Sequence, residues 1–159
     1  MEKWKQNLLT LKLDERRFRA ALSDFMRKAG PKLADKIVRK AAMDVVNETT
    51  NLITTDPKRV DTGRYRAGWS MAAKLVGAKG ASALPTAPNS EAGDGTIERR
   101  GRGLERTIRV INNVEYGTYL EHGTEDMAAG RHLSRALEKV GGEVAEAAKE
   151  YMAEAWEGR

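Results

Sequence analysis

The sequence predicts an α+β fold: a small antiparallel β-sheet packed on one face by two or three helices, with a long flexible loop. Two long stretches, residues 14–56 and 131 to the end, repeat apolar side chains every three or four positions. Three short ones, at 7–13, 68–78 and 107–113, alternate them every second position, and the region 77–106 does neither. At 159 residues the chain reads as a single domain spanning 1–159, long enough to bury a core and too short for two ordinary domains.

Taken in order, Leu9, Leu11 and Leu13 lie at period two, the pattern of a short half-buried strand. Asp14 follows as a helix N-cap, because its carboxylate accepts from the free amides of a first turn. Phe18, Ala21, Leu22, Phe25 and Met26 then share one helical face until Gly30 and Pro31 close the segment. Pro31 also suits the first turn of the next helix, which carries Leu33, Ile37, Ala41, Val45 and Leu52 on one stripe until Asp56 and Pro57 stop it. Trp69, Met71, Ala73 and Leu75 alternate, so residues 68–78 are predicted to form a strand. The region 77–106 holds two of the four prolines, six of the fifteen glycines and almost no large apolar side chain. It buries too little surface to offset its own ordering entropy and is expected to be a mobile loop or arm. TIRVINN at 107–113 returns to a strand pattern with Ile108 and Val110 on one face, and residues 114–121 suit a short helix ended at Gly123. Leu133, Leu137, Val140, Val144, Ala148, Tyr151 and Trp156 define a last helix from about Arg131. Gly141 and Gly142 weaken it by about 1 kcal/mol each relative to alanine, enough to allow a kink.

The chain has no cysteine, which excludes disulfides, thiol nucleophiles and cysteine-ligated zinc. No apolar run reaches the roughly 20 residues a bilayer requires, and the opening MEKWKQNLL lacks the apolar stretch of a secretory signal. The reading is therefore cytoplasmic, with no membrane partner. The net charge of +5 is uneven: residues 1–40 carry 12 Lys and Arg against 5 Asp and Glu, and the remaining 119 residues sum to −2. Basic helices of this kind are ordinarily solvated surface, and they also suit phosphate or an acidic protein.

Catalytic patterns are scarce. His122 and His132 are too far apart for the i, i+4 pair of a helical metal site, and HExxH, GxSxG and P-loop patterns are absent, so neither metal nor cofactor is expected. Glu121 beside His122 makes a formal acid–base pair, but neighbours on a helix point about 100° apart. GDG at 93–95 and GRG at 101–103 resemble phosphate-cradling glycines without the strand-to-helix setting that such loops need. Arg99, Arg100, Arg102, Arg106 and Arg109 are better candidates: arginine-rich segments contact nucleic-acid backbone or acidic protein surface. No aromatic residue interleaves them, which argues against stacking on bases.

VDTGRYRAGW at 60–69 combines a turn signal with aromatics of interface type. Gly63 is free to adopt positive φ, and Tyr65 and Trp69 pair an apolar body with a polar tip. Together with VINNVEYGTYLEHGT at 110–124 and the following GRHLSRAL, it resembles the tail-completion, or head–tail joining, proteins of long-tailed bacteriophages. The matching positions are Thr62, Gly63 and Arg66; Asn112, Asn113, Tyr116, Glu121, Gly123 and Thr124; and Leu133, Ala136 and Leu137. The likeness runs from about residue 9 to 152 and leaves the middle loop unmatched. The chain departs from the family's pattern at Arg131 and His132, where proline and phenylalanine are usual, and at Gly117, where the tyrosine is usually followed by alanine.

The resemblance implies a non-enzymatic virion protein, assembled in the host cytoplasm, whose copies form a ring, commonly of six, at the head–tail interface. The ring would lie between a head-side connector or portal-associated protein and the tail terminator or tail tube protein. On that reading Thr62, Gly63, Arg66, Trp69, Tyr116, Tyr119, Glu121, Gly123 and Thr124 face a neighbouring subunit or partner. Arg99, Arg100, Arg102 and Arg106 face a lumen or partner, with non-specific contact to DNA. Two rival readings are a nucleic-acid-binding module built on the basic N-terminal helices and the arginine-rich loop, and a small hydrolase around Glu121, His122 and His132.

Overall fold

A computed structural model describes residues 15–56, 63–77 and 94–158. In chain order they form α1 (Glu15–Lys28), α2 (Gly30–Thr54), α3 (Arg64–Val76), β1 (Gly95–Arg100), β2 (Thr107–Asn112), α4 (Gly117–His122) and α5 (His132–Glu157). This is an α+β arrangement of five helices and one two-stranded antiparallel sheet among the described residues. The strand expected at Leu9, Leu11 and Leu13 and the cap expected at Asp14 lie outside them.

α2 and α5 form the central antiparallel pair, as their ion pairs record: Lys36 meets Glu154 at 3.9 Å and Glu48 meets Lys139 at 2.9 Å, and just past the end of α2 Asp56 lies 3.4 Å from His132. Pro31 sits in the first turn of α2, where its missing N–H costs nothing. Thr49 and Thr50 lie fully buried in this helix and remain satisfied because their hydroxyls donate to the carbonyls of Val45 and Val46, each at 2.8 Å. α1 runs into α2 with little interruption. The amide of Ala29 donates to the Phe25 carbonyl at 2.9 Å and that of Leu33 to the Ala29 carbonyl at 3.0 Å, which carries the helical ladder across the joint.

Residues 64–76 correct the strand expected over 68–78. Trp69 and Ala73 are four residues apart, a spacing that both periods accommodate; Tyr65, Ala72 and Val76 complete a buried helical face, while Met71 and Leu75 stand 45% exposed. The loop expected over 77–106 is corrected at its far end, where Gly95–Arg100 pair with Thr107–Asn112 in register Gly95↔Asn112 to Arg100↔Thr107. β1 offers a single aliphatic side chain, Ile97, opposite Val110, so its composition hid a strand that its partner and α3 supply with packing. The short helix expected over 114–121 begins three residues later and ends at Gly123 as expected. α5 runs unbroken through Gly141 and Gly142.

The core gathers Val46 and Ile53 of α2, Tyr65, Trp69 and Ala73 of α3, and Val114 and Leu120 flanking and within α4, with Val110 and Leu133 packed against them. Backbones approach closely where α3 crosses the sheet. A Cβ on Gly95 would sit 2.0 Å from the Gly68 carbonyl oxygen, so the crossing requires glycine.

Candidate functional site

Two stretches remote in sequence, the turn entering α3 and the segment from Asn112 to Thr124, meet at one joint. Thr62 lies outside the described residues, and Gly63 after it takes φ 73, the left-handed conformation that turns the chain into α3. Two residues on, the Tyr65 amide donates to the Tyr116 hydroxyl at 3.2 Å, and the Asn112 side-chain amide donates to the Tyr65 carbonyl at 2.8 Å. Asn112 Oδ1 accepts from the Val114 amide at 3.2 Å, so one side chain shapes its own strand end and fastens α3. Gly68 leaves room for it: a Cβ there would lie 2.3 Å from Oδ1. The Tyr65 ring meets Trp69 edge-on at 6.1 Å between centroids and Tyr116 at 6.4 Å. Gly117 stands where the resembling family carries alanine because a Cβ would come within 2.8 Å of that ring.

Glu121 makes the second half of the joint. Its Oε1 accepts from the Ser134 amide at 2.8 Å and the Ser134 hydroxyl at 2.6 Å, and its Oε2 accepts from the Leu133 amide at 3.0 Å. A buried carboxylate thus caps the first turn of α5 from a different element, against the positive end of that helix. Burial alone would raise its pKa. The bonds from the Ser134 hydroxyl and the amides of Ser134 and Leu133, with His132 nearby, outweigh burial and hold the carboxyl below its ordinary range. The Gly130 and Arg131 amides donate to the carbonyls of Leu120 and Glu121, lashing α4 to the start of α5. Gly123, at φ 80, folds the chain back so that the Thr124 amide reaches the Met127 carbonyl at 2.8 Å. Arg131 takes φ 52, a conformation closed to the proline usual in the resembling family, and His132 is buried, filling core space as the usual phenylalanine would.

The expected interface residues therefore divide. Arg66, Trp69 and Glu121 are buried within the chain, and Gly63 and Tyr116 belong to its internal frame. Tyr119, 59% exposed, and Thr124 stand outside, next to the exposed His122. Above the joint lies a cleft of about 310 Å³ between Tyr65, Arg109, Asn112, Thr118 and His122. The carboxylate of Glu121 is committed to α5, so the formal pair with His122, already disfavoured by the divergence of helix neighbours, does not assemble, and His132 is sealed in the core. No group of three or more metal-ligating side chains occurs among the described residues. No helix among them is long and apolar enough to cross a membrane.

The arginines also divide. Arg99 donates to the Leu75 and Val76 carbonyls, at 3.1 and 3.4 Å, and so caps the end of α3. Arg106 closes the β1–β2 turn through the Gly103 and Gly101 carbonyls, at 3.2 and 3.4 Å. Arg100 pairs with Glu98 at 2.8 Å on the surface, and Arg102 is exposed at the turn. The residues that sequence reasoning passed over are Ser134, whose bonds to Glu121 join two elements, and an apolar groove of about 490 Å³ floored by α2 and walled by β2 and α5. No local pattern announces either feature, because each is made by segments far apart in the chain.

No curated protein and no solved structure matches the chain. A family model described as "Bacteriophage HK97-gp10, putative tail-component" matches residues 12–123, most of the chain, including the turn into α3 and the segment from Asn112 to Gly123. The protein belongs to this HK97-gp10-like family and is a structural component of a bacteriophage tail, and so of the virion.

Proposed function

We propose that this tail component is a tail-completion subunit of the neck, whose identical copies close into a ring joining the head-side connector or portal-associated protein to the tail terminator or tail tube protein. The observation that carries the reading is the joint itself. The motif residues converge to build a rigid frame instead of a reaction centre, and Tyr119 and Thr124 are left on its outer side. Identical subunits that each present one surface and receive it on another close by repeating a single rotation. Solution mass and electron microscopy of virions labelled at the C-terminus test the proposal together. A multi-subunit ring in solution and label confined to the neck are expected; label spread along the tube, or a single chain at every concentration, refutes it.

Contact with DNA in the ring's lumen is a second reading, supported by Arg100 and Arg102 at the exposed end of the hairpin. It requires duplex binding that falls steeply with salt. A flat titration at low salt removes it.

A further inference from the structure

α1 and the groove between α2, β2 and α5 are complementary surfaces of one chain that cannot meet within it. Helix α1 projects past the end of α5, held there by the edge contact of Phe25 with Trp156 at 5.3 Å. Beyond Phe25 its residues are exposed or half-buried, and Phe18, Leu22 and Met26 stand 45%, 40% and 37% exposed in a row at i, i+4 and i+8. The floor of the groove repeats that spacing with Ile37, Ala41 and Val45, and its walls are Val110, Leu137 and Val144. Each row is about 12 Å long, and rows of i±4 residues are the ridges that interdigitate when helices pack. Alanines at 41 and 42 let a second helix approach the floor closely.

The charges match as well. α1 carries Arg16, Arg17, Arg19, Arg27 and Lys28 against Glu15 and Asp24, a net +3. α5, one wall of the groove, carries six glutamates against Arg135, Lys139 and Lys149, a net −3, while α2 and β2 are each net +1, so the acidic side of the groove is α5. Within one chain the two surfaces stay apart, because the hydrogen-bonded ladder through Ala29 keeps α1 in line with α2. Phe18 lies 19 residues from Ile37, about 28 Å along a helix.

We propose that α1 of one copy lies in the α2–β2–α5 groove of the next, with Phe18, Leu22 and Met26 as its anchors. The inference rests on the ring reading and specifies its contact. An arm on one surface and a groove on another make a head-to-tail interface when passed from copy to copy, and such an interface gives a ring where the repeated rotation closes.

The chain's lack of cysteine makes the test direct. Leu22→Cys and Leu137→Cys, both at exposed positions, are combined in one chain and oxidised. A ladder of covalent oligomers reversed by reductant, from the double variant and not from either single variant, is the expected result. Leu22→Glu, which leaves the fold intact by circular dichroism because the position is already exposed, is expected to weaken self-association at least tenfold. If the unmodified protein assembles but the double variant yields no ladder, or Leu22→Glu assembles normally, this contact is wrong and the ring reading survives. Cross-linking of Leu22→Cys to a head or tail protein in place of a second copy also overturns it. If the unmodified protein stays a single chain at all concentrations, both readings fall.

Discussion

Glu121→Gln removes one charge and almost no volume, and it isolates the bond network that ties α4 to α5. The carboxylate accepts three hydrogen bonds, two from backbone amides at the start of α5 and one from the Ser134 hydroxyl. Glutamine keeps one oxygen and turns an NH2 toward a donor, leaving a buried amide unmatched and the positive helix end uncompensated. An unsatisfied buried group costs about 1–3 kcal/mol and the helix-end charge contributes about 0.3–1 kcal/mol, so the variant should lose about 1.3–4 kcal/mol. For a chain of this length that corresponds to a melting temperature lower by about 3–16 °C. The folded pKa of Glu121 lies below its ordinary value of 4.5, so its contribution is complete above that value and disappears as pH falls through the folded pKa. Thermal unfolding followed by circular dichroism should therefore show a wide gap between the two proteins at pH 7 that closes under acid. Equal melting at pH 7, or a gap that acid leaves unchanged, would refute the reasoning.

Gly68→Ala drives a methyl into the Asn112 side chain, so about 1–3 kcal/mol of stability should be lost in urea unfolding, with the 2.8 Å bond to Tyr65 broken. Trp69→Ala should cost about 3–5 kcal/mol, whereas Tyr119→Ala should leave the melting temperature within about 2 °C and reduce assembly measured by light scattering. Arg102→Ala should not change stability; if the hairpin contacts a duplex, it should lower the salt slope of binding by about one, and an unaltered slope counts against that contact.

How much was readable in advance follows from where each signal resides. The helices α1, α2 and α5 were predictable because each carries ten or more residues of unambiguous 3.6 periodicity and its own boundary signals: Pro31 at one start, Asp56 and Pro57 past one end. β2 and the stop at Gly123 were predictable for the same local reason. The order of the TG turn and the Asn–Tyr segment pointed to the right family, since a motif's order survives where its meaning is hidden; the last-helix motif lies beyond the matched residues.

Residues 64–76 show where local reading fails. Alternating apolar residues fit both periods over so short a span, and only the packing of α3 against α2 and the sheet chose the face that Tyr65, Trp69 and Val76 share. Tertiary structure likewise made a strand of Gly95–Arg100, because a segment with one aliphatic side chain pairs only when its partner brings the apolar surface. It also made Glu121, expected at an interface, a cap for α5, and it placed Trp69, which suits an interface or a core alike, in the core. Sequence by itself determined which segments are helical and which family the chain belongs to, since periodicity, caps and motif order are properties of neighbours along the chain. Burial, pairing and the groove facing α1 depend on residues tens of positions apart, and only the folded chain decided them.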